Sequence, residues 1–186
     1  SMKKSNGSLV IAVVAGIWLA TAPAFADTIE IVSDVWCPYN CAQDAADPGY
    51  TIKIAQKVFG SAGHQVVYKT LNWSRAIVQA REGKSTAIAG TGRADAPDFV
   101  FPEEPVGSSV STFFVTADSS WNYAGPGSLA AVKLGFIKDY KYGEELDKYI
   151  AANQNSDKLQ AASGDDALEK NINKLLAKRI DVLVED

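Results

Sequence analysis

Histidine, methionine and cysteine are nearly missing from this chain, which has one His, one Met and two Cys in 186 residues. A lone histidine, His64, leaves no second imidazole for a histidine metal site, and no Ser or Cys partner of triad character accompanies it. Metal-centred and nucleophilic-hydrolase chemistry therefore have little support. No P-loop or dinucleotide fingerprint occurs, so no cofactor is expected. Acidic residues outnumber basic ones, 22 to 18, which removes the basic footprint that nucleic-acid binding needs. Glu103 and Glu104 are adjacent and point to opposite sides of an extended segment, a poor acid/base pair. No repeat or low-complexity tract interrupts the chain.

What is present begins with an export signal. Lys3 and Lys4 precede the apolar stretch Leu9 to Ala22, about 14 residues against the ~20 that a bilayer span needs. Ala24-Phe25-Ala26 has the small-x-small form of a signal-peptidase site, so residues 1–26 read as a signal peptide, with Ser1 a cloning scar. Cleavage after Ala26 leaves 160 residues carrying 16 basic and 22 acidic groups, a net charge of about -6. A chain of that length buries about 70% of its unfolded surface, enough for one ordinary domain or two small lobes. Cys37 and Cys41 both lie in the exported part, where a local disulfide is the default for a close pair. A redox role for Trp36-Cys37-Pro38-Tyr39-Asn40-Cys41 is the alternative, weakened because three residues separate the thiols where a redox pair normally has two.

Thr28 to Ser33 alternates as a strand and leads into a loop, 34–48, carrying Trp36, Tyr39 and both cysteines. Gly49 to Ala62 predicts a helix with Tyr50, Ile54, Ala55, Val58 and Phe59 on one stripe, stopped by Gly63. His64 to Leu71 returns as a strand. Asn72 or Ser74 caps a helix through Arg81, and Ser85 to Ala89 forms the next strand. This βαβαβ order predicts a parallel sheet covered by helices. Val110 to Thr116 is β-rich, and Ala117 to Ser128 reads as a crossing between lobes. The unit then begins again: strand Val132 to Ile137, helix Gly143 to Asn153, strand Lys158 to Ala162, helix Asp165 to Lys178, strand Ile180 to Val184. Leu168, Ile172, Leu175 and Leu176 supply the apolar stripe of the last helix. Two α/β units joined by a crossing imply a cleft.

Trp73 to Pro102 delivers Arg93 into a Gly/Thr loop at the carboxyl end of a strand, where a guanidinium forms a fork for a ligand carboxylate. The bland alternative is a loop arginine paired with Asp95 or Asp98. Trp73 stands before an amphipathic helix, where a packing staple competes with a ligand platform. Trp36 and Tyr39 occupy the cysteine loop and are candidates for lining the cleft. Arg75 and Arg81 read as a solvated helix face.

Pro48-Gly49-Tyr50, Trp73, Gly83-Lys84, Arg93 followed six residues later by Phe99 in Asp98-Phe99-Val100-Phe101-Pro102, Val132-Lys133-Leu134-Gly135-Phe136 and the terminal Asp181 to Asp186 occur in an order that resembles bacterial periplasmic solute-binding proteins of the polar amino-acid type, receptors of ABC importers. The resemblance implies a periplasmic-binding-protein-like α/β fold of two lobes around a cleft: residues 27–116 as lobe 1, 117–128 as the hinge and 129–186 as lobe 2. It implies a non-enzymatic, periplasmic protein that closes on a small polar or anionic solute, amino-acid-like or a carboxylate, and delivers it to an ABC permease in the inner membrane. By the same resemblance Arg93 grips the ligand carboxylate, Thr91 and the Gly90 backbone complete that side, Asp186 receives an ammonium, Trp36 or Tyr39 packs on the ligand, and Tyr140 stands where the family often binds ligand with loop groups.

The chain departs from the family at Lys53, where an acidic residue is usual, and in the shortened Thr91-Gly92-Arg93 spacing, which leaves amino-acid specificity open. It also stops at Asp186, where the family returns to finish its first lobe. The expectation is therefore an incomplete first lobe prone to self-association through exposed apolar sheet. Competing functions are a periplasmic dehydratase or lytic enzyme on the same scaffold, a thiol redox protein using Cys37 and Cys41, and an accessory protein that uses the cleft for protein contact.

Overall fold

The computed structural model describes residues 26–185. Residues 1–25 of the expected signal peptide, and Asp186, lie outside them. Strand β1 (Thr28–Ser33) leads to helix α1 (Tyr50–Ser61), β2 (Gln65–Thr70), α2 (Trp73–Arg81) and β3 (Ala87–Ile88). These form a parallel three-stranded sheet in the order β2-β1-β3. The central strand is buried at Ile31, Val32 and Ser33 because it is covered on both edges. Asn72 caps α2, its side-chain oxygen accepting from the Arg75 amide at 3.0 Å, which satisfies one of the free amides of the first turn.

The second sheet contains β4 (Thr112–Phe114), β5 (Leu134–Ile137), β6 (Leu159–Ala162) and β7 (Val182–Glu185), in the order β4-β7-β5-β6. Its crossover helices are α3 (Glu144–Ala152) and α4 (Ala167–Leu176). β4 runs antiparallel to β7 and the other pairs are parallel. Leu129, Val132, Leu134, Tyr142, Leu146, Val182 and Val184 form its core. At Gly135 a β-carbon would stand 2.3 Å from Ile180 Cδ1 and 3.4 Å from Asn171 Oδ1, so only glycine lets α4 and the β7 approach sit this close to β5.

Several expectations are corrected. Residues 110–116 were assigned to the first lobe, yet Thr112–Phe114 bonds to β7, so the chain has already crossed by Thr112. The expected hinge, 117–128, contains Trp121, which packs against the second core and donates from Nε1 to the Ser128 carbonyl at 3.3 Å. The strand expected over Ser85 to Ala89 is paired only at Ala87–Ile88. On α1 the structure buries Ile52, leaving Ile54 and Val58 exposed. On α4 it buries Ala167, Asn171 and Leu175, while Leu168, Ile172 and Leu176 face outward. Both helices are rolled relative to the expected apolar stripe; for α4 the close approach at Gly135, beside Asn171, outweighs the burial of Leu168. No described helix is long and apolar enough to cross a membrane.

Candidate functional site

The loops that follow the carboxyl ends of both sheets meet. Asp34 follows β1, and Trp73 with Ser74 opens α2 after β2. From the second unit, Lys138 to Tyr140 follow β5, and Ser163 to Asp165 follow β6. These groups enclose a cavity of about 30 Å³ between the units, room for one or two waters. Loops at the carboxyl ends of parallel strands are the usual ligand-binding edge of α/β sheets.

Side chains bridge the gap. Tyr140 donates its hydroxyl to the Asp34 carboxylate, and Ser74 donates to Asp139. The Trp73 and Tyr140 rings meet at 5.8 Å between centroids. Asp34 is held from its own side as well: the Ser33 hydroxyl lies 3.5 Å from its Oδ1, and Asn40 Nδ2 donates to the Asp34 carbonyl at 2.9 Å and to Ser33 Oγ at 2.8 Å. Burial pushes the Asp34 carboxyl up to about 6, against the hydrogen bond from Tyr140, which lowers it. Burial likewise raises the Tyr140 phenol, aided by the Asp34 charge. The indole Nε1 of Trp73 is buried with no hydrogen-bond partner among the described residues.

The expected site residues divide into two groups. Trp73 and Tyr140 line the cavity between the units. Trp36, Tyr39, Gly90, Thr91 and Arg93 line a separate groove of about 950 Å³ formed by the first unit alone. There Trp36 and Tyr39 lie 4.0 Å apart, in the loop closed by the Cys37–Cys41 disulfide. Gly90 has φ +76, and a β-carbon on it would meet Asn40 Oδ1 at 3.0 Å. Arg93 does not enter the cavity. Its guanidinium lies over Phe101 at 5.0 Å and reaches the Pro102 carbonyl at 3.4 Å, an exposed cation satisfied by its nearest aromatic and carbonyl. Nor does it pair with the acids considered for it: Asp98 binds Arg81 at 2.8 Å, and Asp95 accepts from the Gly92 amide at 2.8 Å. Burial raises the Asp95 carboxyl above its ordinary range, against the Gly92 amide and the Lys141 charge, which lower it. Asp186 lies outside the described residues.

Asp34, Ser74 and Asp139 were not singled out from sequence. An acid directly after an apolar strand was the available signal for Asp34, while Ser74 is marked only as a helix-cap candidate and Asp139 carries no local mark.

Neither a family model nor a curated protein matches the sequence. Solved structures do match in shape. An ancestral arginine-binding protein bound to glutamine superposes with TM-score 0.64 at 18% identity, over 86% of this chain and 69% of that one. An arginine transport-system periplasmic binding protein from Legionella pneumophila gives 0.64 at 14%, over 87% and 69%. A histidine kinase sensor domain with similarity to periplasmic binding proteins gives 0.66 at 21%, over 86% and 68%. Two α/β units that face each other through their strand-end loops thus give this chain the periplasmic-binding-protein fold.

Proposed function

We propose that the protein is a periplasmic receptor that captures a small polar or anionic solute, amino-acid-like or a carboxylate, between its two units and delivers it to an ABC permease. The observation that carries this reading is the cavity between the strand-end loops, where Asp34, Trp73 and Ser74 face Tyr140 and Asp165. A ligand closes such a protein only by bonding both halves, and both halves here present polar groups. At about 30 Å³ the cavity is closed, so binding requires the units to part. In this reading Arg93 leaves Phe101 and turns to a solute carboxylate when they do, with Thr91 and the Gly90 backbone beside it. Trp36, Tyr39, Trp73 and Tyr140 supply ring surface, and Asp186 supplies a second-unit carboxylate. Export, cleavage after Ala26 and the absence of catalysis belong to the same proposal, with residues 27–109 as the first lobe and 112–186 as the second. The neighbouring folds include both a transport-system binding protein and a kinase sensor domain, so the permease is tested separately from the solute.

A thermal-shift screen of the exported protein against amino acids, dicarboxylates and aromatic acids tests the reading, since a cleft binder gains stability as ligand concentration rises. A concentration-dependent rise for one chemical class is the expected result, and no rise for any class counts against it. Stimulation of a reconstituted permease by the loaded protein tests delivery.

A second reading has one observation in its favour. Asp34, with its carboxyl at about 6 in the cleft, is the perturbed acid that a dehydratase or lytic enzyme needs. Turnover of a bound solute, lost in Asp34→Asn, distinguishes that reading from a receptor.

A further inference from the structure

The turn after β5 is built to reach across the gap. Asp139 adopts φ +65, a left-handed conformation that an Asp tolerates but does not favour. From that strained turn two consecutive side chains contact the first unit, Asp139 at Ser74 and Tyr140 at Asp34. Tyr140 also sets its ring against Trp73 at an interplanar angle of 73°. Its side chain thus occupies space between the units that a solute would need. Its acceptor, only 8% exposed, lies on the floor of the gap.

We propose that Tyr140 is an internal latch: by donating to Asp34 it holds the two units closed when no solute is bound, and opening requires that bond to break. This goes beyond the solute-binding reading and does not depend on it, because the latch acts in the empty protein. If the protein is a receptor, an entering solute competes with the phenol for Asp34. A closed form held by a few replaceable side-chain bonds is the kind of two-state element that small changes can bias. The surroundings agree with a local contact rather than continuous core: Lys138 and Asp165 share the cavity, and Asp165 acts on Asp34 only through its charge.

The test is the distance between the units, read by pulsed electron resonance from nitroxides placed on exposed Gln56 and Glu169 through a non-cysteine handle, leaving the disulfide intact. The solute-free protein is expected to give one short distance. Tyr140→Phe keeps the ring against Trp73 and removes only the hydroxyl. It should add a longer distance and lower the closed-to-open ratio about tenfold, the effect of losing one hydrogen bond to a charged acceptor. Asp34→Ala should do the same, and the double variant should open no further than either single one. Circular dichroism verifies that each variant is folded. A Tyr140→Phe distribution identical to that of the parent overturns the latch, as does a parent that is already mostly open.

Discussion

Trp73 and Tyr140, 67 positions apart in the chain, meet edge to face at 5.8 Å where the two units touch. Trp73 is 6% exposed and its Nε1 has no hydrogen-bond partner among the described residues. The ring's apolar body therefore does most of the stabilising, and its polar tip adds little.

Trp73→Phe should accordingly cost no more than about 1.5 kcal/mol, whereas Trp73→Ala should cost about 3 to 5 kcal/mol by leaving a cavity. Urea titration of both variants checks the difference. Equal losses would mean that a phenyl ring does not replace the packing of the full indole.

Asp34 makes folding pH-dependent in a direction opposite to most carboxylates. Its folded value of about 6 lies above the ordinary 3.8, so the folded state binds more protons between these pH values. That contribution is complete below about pH 3.8 and is lost as pH rises through 6. Asp34→Asn should match the parent near pH 4 and exceed it by about 2 to 3 kcal/mol near pH 8. Calorimetric melting at pH 4, 6 and 8 measures this, and a difference that does not change with pH rejects it.

Gly135→Ala places a methyl 2.3 Å from Ile180 Cδ1. The overlap should destabilise the second unit by about 1 to 3 kcal/mol. Trimming the obstacle with Ile180→Val should recover part of the loss, seen as a coupling energy in denaturant titrations of the single and double variants.

Arg93 is exposed and held by one ring and one carbonyl. Arg93→Ala should therefore change stability by about 1 kcal/mol or less. If it turns to a solute carboxylate, the same variant should weaken binding of whichever solute the screen identifies by about 30- to 1000-fold, or 2 to 4 kcal/mol. Calorimetry with the folded variant decides, and unchanged affinity removes Arg93 from the site.

Local chemistry made much of the fold readable. Period-two alternation marked Thr28 to Ser33 as a strand to the residue, and Asn72 marked the start of α2. The close cysteines marked their own disulfide. Errors gathered where a choice depended on distant partners. The apolar stripe of α4 was misplaced by one residue, because Gly135 draws Asn171 inward and leaves Leu168 and Ile172 outside. β4 was given to the wrong sheet because its partner β7 lies 68 or more residues away.

By itself, then, the order of residues determined which segments become strands and helices, and it placed loop residues such as Arg93 and Tyr140 at strand ends, since backbone dihedrals and caps respond to near neighbours. Only the tertiary structure decided that Tyr140 reaches Asp34 across 106 positions while Arg93 settles on Phe101. That choice depends on how two packed units dock, and no local pattern encodes the direction in which a long side chain finds its partner.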